Sequence, residues 1–468
     1  MPKKKKPQPQ PQPPNDLSLL DRLTHPHAAG IDVGAEELVV AVPPDRAVKF
    51  VRTFGSFTSD LHALRTWLEQ CGIQTVALES TGNYWVPIYQ LLEEAGLEVC
   101  LINPRDVKGI GGRKTDVADA QWLQQLHAAG LLRKSFRPVK EIAALRYLMR
   151  HRSNLIQSAA RELQHMQKTL NECNLQVHHV FSDLDGASAQ RIIKAILAGE
   201  RDPQKLAALR DKRCRTALPK VLQALEGDYR AEYLFVLGQN LACWQQTQTT
   251  LTALDAQIKT LVAAIQVEPA APAQGAEGAT AAALPKRPGH KNSPAFDVFA
   301  EAHRFYGVDL AQIPGIASST LSVFMSELGT GAQLRTAFKS AKAFCAWLGV
   351  CPENQISGGK ILLAKTRKTT NRVAAALRLS AQALGHAKGR LGDFSRRMKG
   401  RLGKAEGITA TAHKLARIVY AMLTTKQNYD EAKAFALTPA KQARRIKQLL
   451  AQAAALGLQL APATSPAI

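Results

Sequence analysis

Four acidic residues in the first third of the chain, Asp32, Glu79, Asp116 and Asp119, carry the most suggestive chemistry. Carboxylate oxygens are what hard divalent cations such as Mg2+ (or Mn2+) prefer, and these ions keep several waters, so acids from separate elements can hold two of them. A pair of ions held in this way stabilises both the attacking and the leaving oxygen of a phosphoryl displacement. Each acid taken alone reads more simply as a helix-start or surface charge. Their joint placement points instead to chemistry on a phosphodiester backbone.

A second set lies far downstream. In CPENQISGGK, Ser357 precedes Gly358 and Gly359, and glycines let a backbone approach a bulky substrate closely. Ser-Gly-Gly alone is more often a plain turn. Here it is followed by Lys360, Lys365, Arg367, Lys368 and Arg372, and later by Arg396 and Arg397, while Lys114 stands just before Asp116. Guanidinium forks bind phosphate oxygens and stabilise charge on a phosphorus centre under attack by a hydroxyl. A solvated basic helix face is the plainer reading of the same positions.

The elements that must position the acids follow from the pattern. Residues 28–34, 37–43 and 47–54 read as three strands joined by polar or proline-containing turns, an antiparallel meander. A helix is expected over 58–71, where Leu61, Leu64, Trp67 and Leu68 keep helical spacing. A strand (74–80), a helix (83–95), a strand (97–103) and a helix (116–129) complete the order βββαβαβα. Asp32 falls in the first strand, Glu79 ends the fourth at the carboxyl edge of the sheet, and Asp116 and Asp119 share a face of the last helix. A ribonuclease-H-like mixed sheet would gather all four.

The chain has 468 residues, enough for two or three domains. Its 61 Lys and Arg against 38 Asp and Glu give a formal charge of +23, which favours a polyanionic partner, nucleic acid first, through phosphate contacts and counterion release. No apolar run is long enough to span a bilayer and no leader resembles a signal peptide, so a cytoplasmic, nucleoid-associated protein without a membrane partner is expected. Seven cysteines without a CxxC pair suggest reduced thiols in apolar settings rather than disulfides or a zinc site.

Residues 1–15 form a basic Pro/Gln tail that cannot bury a core. The domain carrying the acids is expected over 16–139. From 140 to 265 the chain reads as a helical, coiled-coil arm, with Leu241, Leu251, Leu254, Ile258 and Leu261 in a heptad-like pattern; a helical bundle is the equal alternative. Within the arm, His178, His179, Asp183 and Asp185 lack the spacing of a helical metal pair and are not expected to bind metal. Residues 266–304 read as a flexible linker or insertion. A mostly helical second domain follows over 305–430, then a helical and finally disordered tail over 431–468. In it, IPGI resembles a helix-hairpin-helix turn, and an apolar helix is expected over 337–350.

The segments GIDVG, ALESTGNYWVPIYQLLEEAG, INPRDVKGIGGRKTDVADAQWLQQL, IPGI and WLGVCPENQISGGKILLAKTRKTTNRVAAALRLSAQAL occur in order across both domains. Together they resemble the DEDD insertion-sequence transposases of the IS-one-ten family, relatives of Piv-type invertases. The resemblance covers most of residues 28–135 and 305–425. It implies that Asp32, Glu79, Asp116 and Asp119 form the metal-binding tetrad of a RuvC-like domain, that Ser357 is the nucleophile of a transposase domain, and that both halves contribute to a composite site. It further implies strand exchange through a covalent phosphoserine, with DNA (element ends and target) as substrate, a guide RNA encoded by the element, and a homodimer or homotetramer. The proline-rich tail and the long insertion before Phe305 depart from the shorter family pattern.

Three other readings compete. A metal-dependent nuclease or junction resolvase would use water and need no serine. GIDVG also resembles the first phosphate loop of actin-like ATPases and sugar kinases, but no convincing second phosphate motif follows. A nonenzymatic nucleic-acid scaffold would not need Asp32.

Overall fold

The computed structural model describes residues 23–79, 82–104, 115–267, 284–285, 287–436 and 439–459. Lys114, the basic tail and most of the expected linker lie outside these. The chain divides into two compact units, Met1–Arg137 and Pro138–Ile468.

The first unit is built on β1 (Ala28–Val33), β2 (Glu37–Ala41) and β3 (Val51–Gly55), then α1 (Thr58–Gln70), β4 (Thr75–Glu79), α2 (Trp85–Glu94), β5 (Glu98–Ile102) and α3 (Asp116–Ala128). The sheet order is β3-β2-β1-β4-β5. β1, β2 and β3 form the expected meander, while β4 runs parallel to both β1 and β5. β3 begins later than the sequence pattern suggests. Residues before it turn instead, Arg46 N–H donating to the Pro43 carbonyl, and Val48 is fully exposed.

Alternation along β1 gives the sheet two buried faces. Ala29, Ile31 and Val33 join Leu64, Trp67 and Leu68 of α1 and Ile88 and Leu92 of α2 in one core. Gly30 faces the other way, against α3, where Ala120 packs with Val39 and Ala41. A Cβ on Gly30 would lie 2.3 Å from the Gln124 nitrogen, so only glycine lets α3 cross β1 this closely.

The second unit opens with two long helices, α4 (Lys140–Glu172) and, after four short helices, α9 (Ala231–Ala264). They pack antiparallel: Arg152 in the first half of α4 pairs with Asp255 in the second half of α9, while Leu170 near the end of α4 shares a core with Leu237 and Leu241 near the start of α9. The short helices α5 (Val177–Val180), α6 (Ala187–Leu197), α7 (Pro203–Ala208) and α8 (Leu218–Ala224) close a separate core around the far end of this pair. Of the five expected heptad positions, Leu241 and Ile258 are buried, whereas Leu251, Leu254 and Leu261 are half-buried. The seam runs through Leu237, Leu241, Asp255, Ile258 and Val262, so it includes a charge. Asp255 takes a fork from Arg152 at 2.6 and 3.1 Å and accepts from the Ala295 N–H. Such a buried pair fixes register, and removing one partner typically costs about 3–5 kcal/mol.

These contacts correct the linker reading at its end. Arg287 forks onto Asp309 at 2.8 and 2.9 Å, the Asn292 carbonyl accepts from Arg152, and α10 (Val298–Tyr306) is already helical. Lys291 reaches Asp183 and Asp185 at 3.4 and 2.6 Å, so those carboxylates already have a cation.

The remainder comprises α11 (Ser318–Leu328), α12 (Gly331–Ala337), α13 (Ala341–Leu348), the hairpin β6 (Pro352–Ser357) and β7 (Lys360–Thr366), α14 (Arg372–Ala383), α15 (Arg390–Leu402), α16 (Lys404–Thr425), α17 (Glu431–Ala434) and α18 (Pro439–Ala455). Helix α16 is central, packing on α13, α14 and α15. The helix expected over 337–350 starts later, because Ser340 caps α13 by accepting from the Ala343 N–H. IPGI lies in the connection between α10 and α11, two helices that pack on each other, and follows a single 3-10 turn, Leu310–Gln312. Gly315 has φ 86° and would place a Cβ 2.8 Å from the Ser380 carbonyl, so it serves contact with α14. The thiols are free as expected, but Cys243 is exposed rather than in an apolar setting.

Candidate active site

The β1–β4 register aligns Ile31 with Leu78. One step further sets Asp32 level with Glu79 on adjacent parallel strands, on the same face, about 4.8 Å apart in backbone spacing. Helix α3 crosses that face and starts with Asp116, bringing Asp119 in its first turn. Thr115 is its N-cap and accepts from the Ala118 N–H at 3.3 Å. The capping role that either aspartate might have filled is therefore taken.

The electrostatics register this convergence. Burial, then the charges of Asp116, Asp119 and Glu79, push the Asp32 carboxyl up to about 6. Like charges so placed are what a divalent cation neutralises, and an all-carboxylate donor set suits a hard ion. As the side chains stand, no three His, Cys, Asp or Glu among the described residues close into a metal site. The four acids thus fit a hard cation in chemistry and converge on one place without being preassembled.

Ser357 ends β6 and pairs in register with Lys360. Gly358 and Gly359 between them have φ 54° and 76°, as a two-residue hairpin turn with both central residues left-handed requires. Open space surrounds both glycines, and Ser357 and Lys360 are exposed. The hairpin tip is thus both an ordinary turn and an accessible hydroxyl beside an ammonium.

The other cations spread out. Lys365 stands opposite Glu353 in the ladder, Arg367 reaches the Ala346 and Trp347 carbonyls at 3.4 Å, and Arg372 is the exposed first residue of α14. Arg396 is engaged with the Gly385 and Ala387 carbonyls and with Asp393. Arg397 lies over the Phe394 ring on α15. Lys360 and Ser357 come together; Arg396 and Arg397 belong to a different helix.

Comparison with known families narrows the competing readings. A DEDD transposase profile of the IS110 type, described as Transposase, matches residues 29–175, and the profile of the Transposase IS116/IS110/IS902 family matches residues 309–395. The chain belongs to the IS110 transposase family. No curated protein matches it. It is an enzyme acting on DNA, its DEDD domain implies dependence on a divalent metal, and no helix among its described residues is long and apolar enough to cross a membrane. The ATPase and scaffold readings fall with this finding.

Sequence reasoning missed the residues that hold α3 of this transposase in place. Gln124 donates to the Ala28 carbonyl at 3.3 Å. His127 is buried, with Nε2 2.8 Å from Thr75 Oγ1, which itself donates to the Glu98 carbonyl. His127 therefore donates through Nε2; burial and neighbouring His25, stacked at 4.9 Å, hold its pKa down to about 4. The available signal was a polar pair, Gln124 and His127, at helical spacing on the face opposite Gly30.

Proposed function

We propose that this transposase cuts and exchanges DNA strands to excise and integrate an insertion sequence, with Asp32, Glu79, Asp116 and Asp119 holding divalent metal and Ser357 as nucleophile. The observation that carries the reading is the convergence of the four acids on Asp32, in a chain that belongs to a DEDD transposase family. Bound Mg2+ or Mn2+ would supply charge neutralisation at the reacting phosphate.

The Ser357 hydroxyl attacks phosphorus, forming an Oγ–P bond as the bond to the leaving sugar oxygen breaks and the hydroxyl proton passes to solvent or to that oxygen. Exposure at a glycine turn supports this role, because a duplex backbone can reach the hydroxyl without meeting side chains of the turn. Lys360 opposite it, with Lys365, Arg367, Lys368 and Arg372 further along, offers charge to the flanking phosphates. Lys114, Arg396 and Arg397 are placed with the nucleic-acid contacts in the same proposal, Arg396 more weakly because of its engagement with Asp393. The fold of the first unit supports a ribonuclease-H-like, RuvC-like assignment, and the long α4–α9 pair supports an arm that mediates assembly of a homodimer or homotetramer. A structured RNA encoded by the element, pairing with both DNA partners, completes the proposal; the charge of +23 suits a protein that grips backbones while base pairing reads sequence.

Cleavage of DNA carrying the element ends tests the assignment. With Mg2+ or Mn2+ the wild type should cut, and Asp32→Asn and Glu79→Gln should each lose roughly 100-fold or more. Wild-type rates in both variants would remove the acids from the reaction. Unchanged cutting by Ser357→Ala would favour the nuclease that uses water.

A further inference from the structure

The segment after α16 folds back over α15 and α16 and leaves a groove of about 640 Å³. Phe394 and Arg397 line it from α15, Arg417 from α16, and Tyr429 and Phe435 from the returning segment. The segment is held from both sides. The Arg390 N–H donates to Glu431 Oε1 at 2.8 Å, and Lys414 Nζ donates to the Ala434 carbonyl.

Charge and rings are interleaved in this groove. Lys414 Nζ stands 4.5 Å over the Phe435 ring and the Arg397 guanidinium 5.7 Å over Phe394, while the two rings lie 6.1 Å apart. With Arg417 and Lys433, four cations among the described residues line the walls against the carboxylate of Asp430, with Glu431 next to it in the chain. The imbalance reaches His413 on α16, which burial and then Arg417 and Lys414 hold below its ordinary value. The Tyr429 hydroxyl is buried and has no hydrogen-bond partner among the described residues. A buried polar group in that state is costly.

We propose that this groove binds an unpaired stretch of nucleic acid, with bases against Phe394, Phe435 and Tyr429 and phosphates on Arg397 and Arg417. The inference rests on the DNA-transposase reading and adds a strand-binding site built from residues other than the four acids and the Ser357 hairpin. A concave wall of flat rings suits splayed bases, which stack on aromatics regardless of sequence. A duplex hides its base faces and is read by elements that protrude into its grooves.

The test uses the full-length protein and fluorescent oligonucleotides of about a dozen residues, as single-stranded DNA, as RNA of the same sequence and as duplex DNA. The Arg417→Gln variant should bind the occupying single strand about fivefold more weakly, with a salt slope shallower by ~0.7, and bind duplex within about twofold of wild type. Phe435→Leu, which removes a ring from the wall, should lose about fivefold on the same strand. Whether DNA or RNA suffers the loss names the source of the strand. Unchanged single-strand affinity and salt slope in both variants would overturn the proposal, as would an equal loss on duplex. Displacement of the oligonucleotide by an acidic peptide that binds wild type more tightly would assign the groove to a protein instead. Wild type failing to bind any of the three probes would sink the DNA-transposase reading along with this one.

Discussion

At the scale of single residues, Asp32 and His127 are perturbed in opposite directions within the first unit. Asp32, raised to about 6, prefers its proton in the folded protein, so its contribution to stability declines as pH rises from 3.8 through 6. His127 is lowered to about 4 from 6.5. Between those values the unfolded chain binds its proton more readily, so the stability that His127 contributes is fully present above 6.5 and is lost as pH falls through 4. The full difference is at most ~3 kcal/mol. Denaturant unfolding at stepped pH should therefore show wild type losing up to that amount relative to His127→Gln across this window, and parallel curves would contradict it. The acids were legible in the sequence because each falls at the end of a regular element. His127 was not, since its lowered pKa comes from burial and then His25, surroundings that only the fold supplies.

Elements set how firmly those residues meet. The contact between β1 and α3 depends on Gly30, where an added Cβ would meet the Gln124 nitrogen at 2.3 Å and the Ala120 carbonyl at 2.4 Å. Gly30→Ala should cost about 1–3 kcal/mol by overpacking, lower the thermal midpoint, and weaken divalent-metal binding in calorimetry by pushing Asp116 and Asp119 away from Asp32. A stable variant with wild-type metal affinity would show that the close crossing does not position the acids. Strand and helix order in the first unit was readable because its periodicity is clean on both faces of the sheet. The heptad reading of α9 was offset because Asp255, a charge, occupies a seam position and a scan for apolar residues steps past it. The linker reading overran into residues 287–304 because polar, proline-rich composition ahead of α10 gives no hint that Arg287, Lys291 and Asn292 have partners far along the chain.

Across the whole molecule, an acidic cluster in one unit accompanies a strongly basic surface in the other, within a chain of net charge +23. That division suits a protein that must grip phosphates broadly while concentrating negative charge where metal is needed. The central claim is that strand exchange passes through Ser357 rather than through water. Denaturing the protein during cleavage of an end-bearing DNA, digesting it and mapping the adducted peptide by mass spectrometry tests this most directly. Wild type should yield a phosphodiester on Ser357, and Ser357→Ala should yield neither adduct nor strand transfer; an adduct surviving in Ser357→Ala, or strand transfer at the wild-type rate without one, would contradict the account.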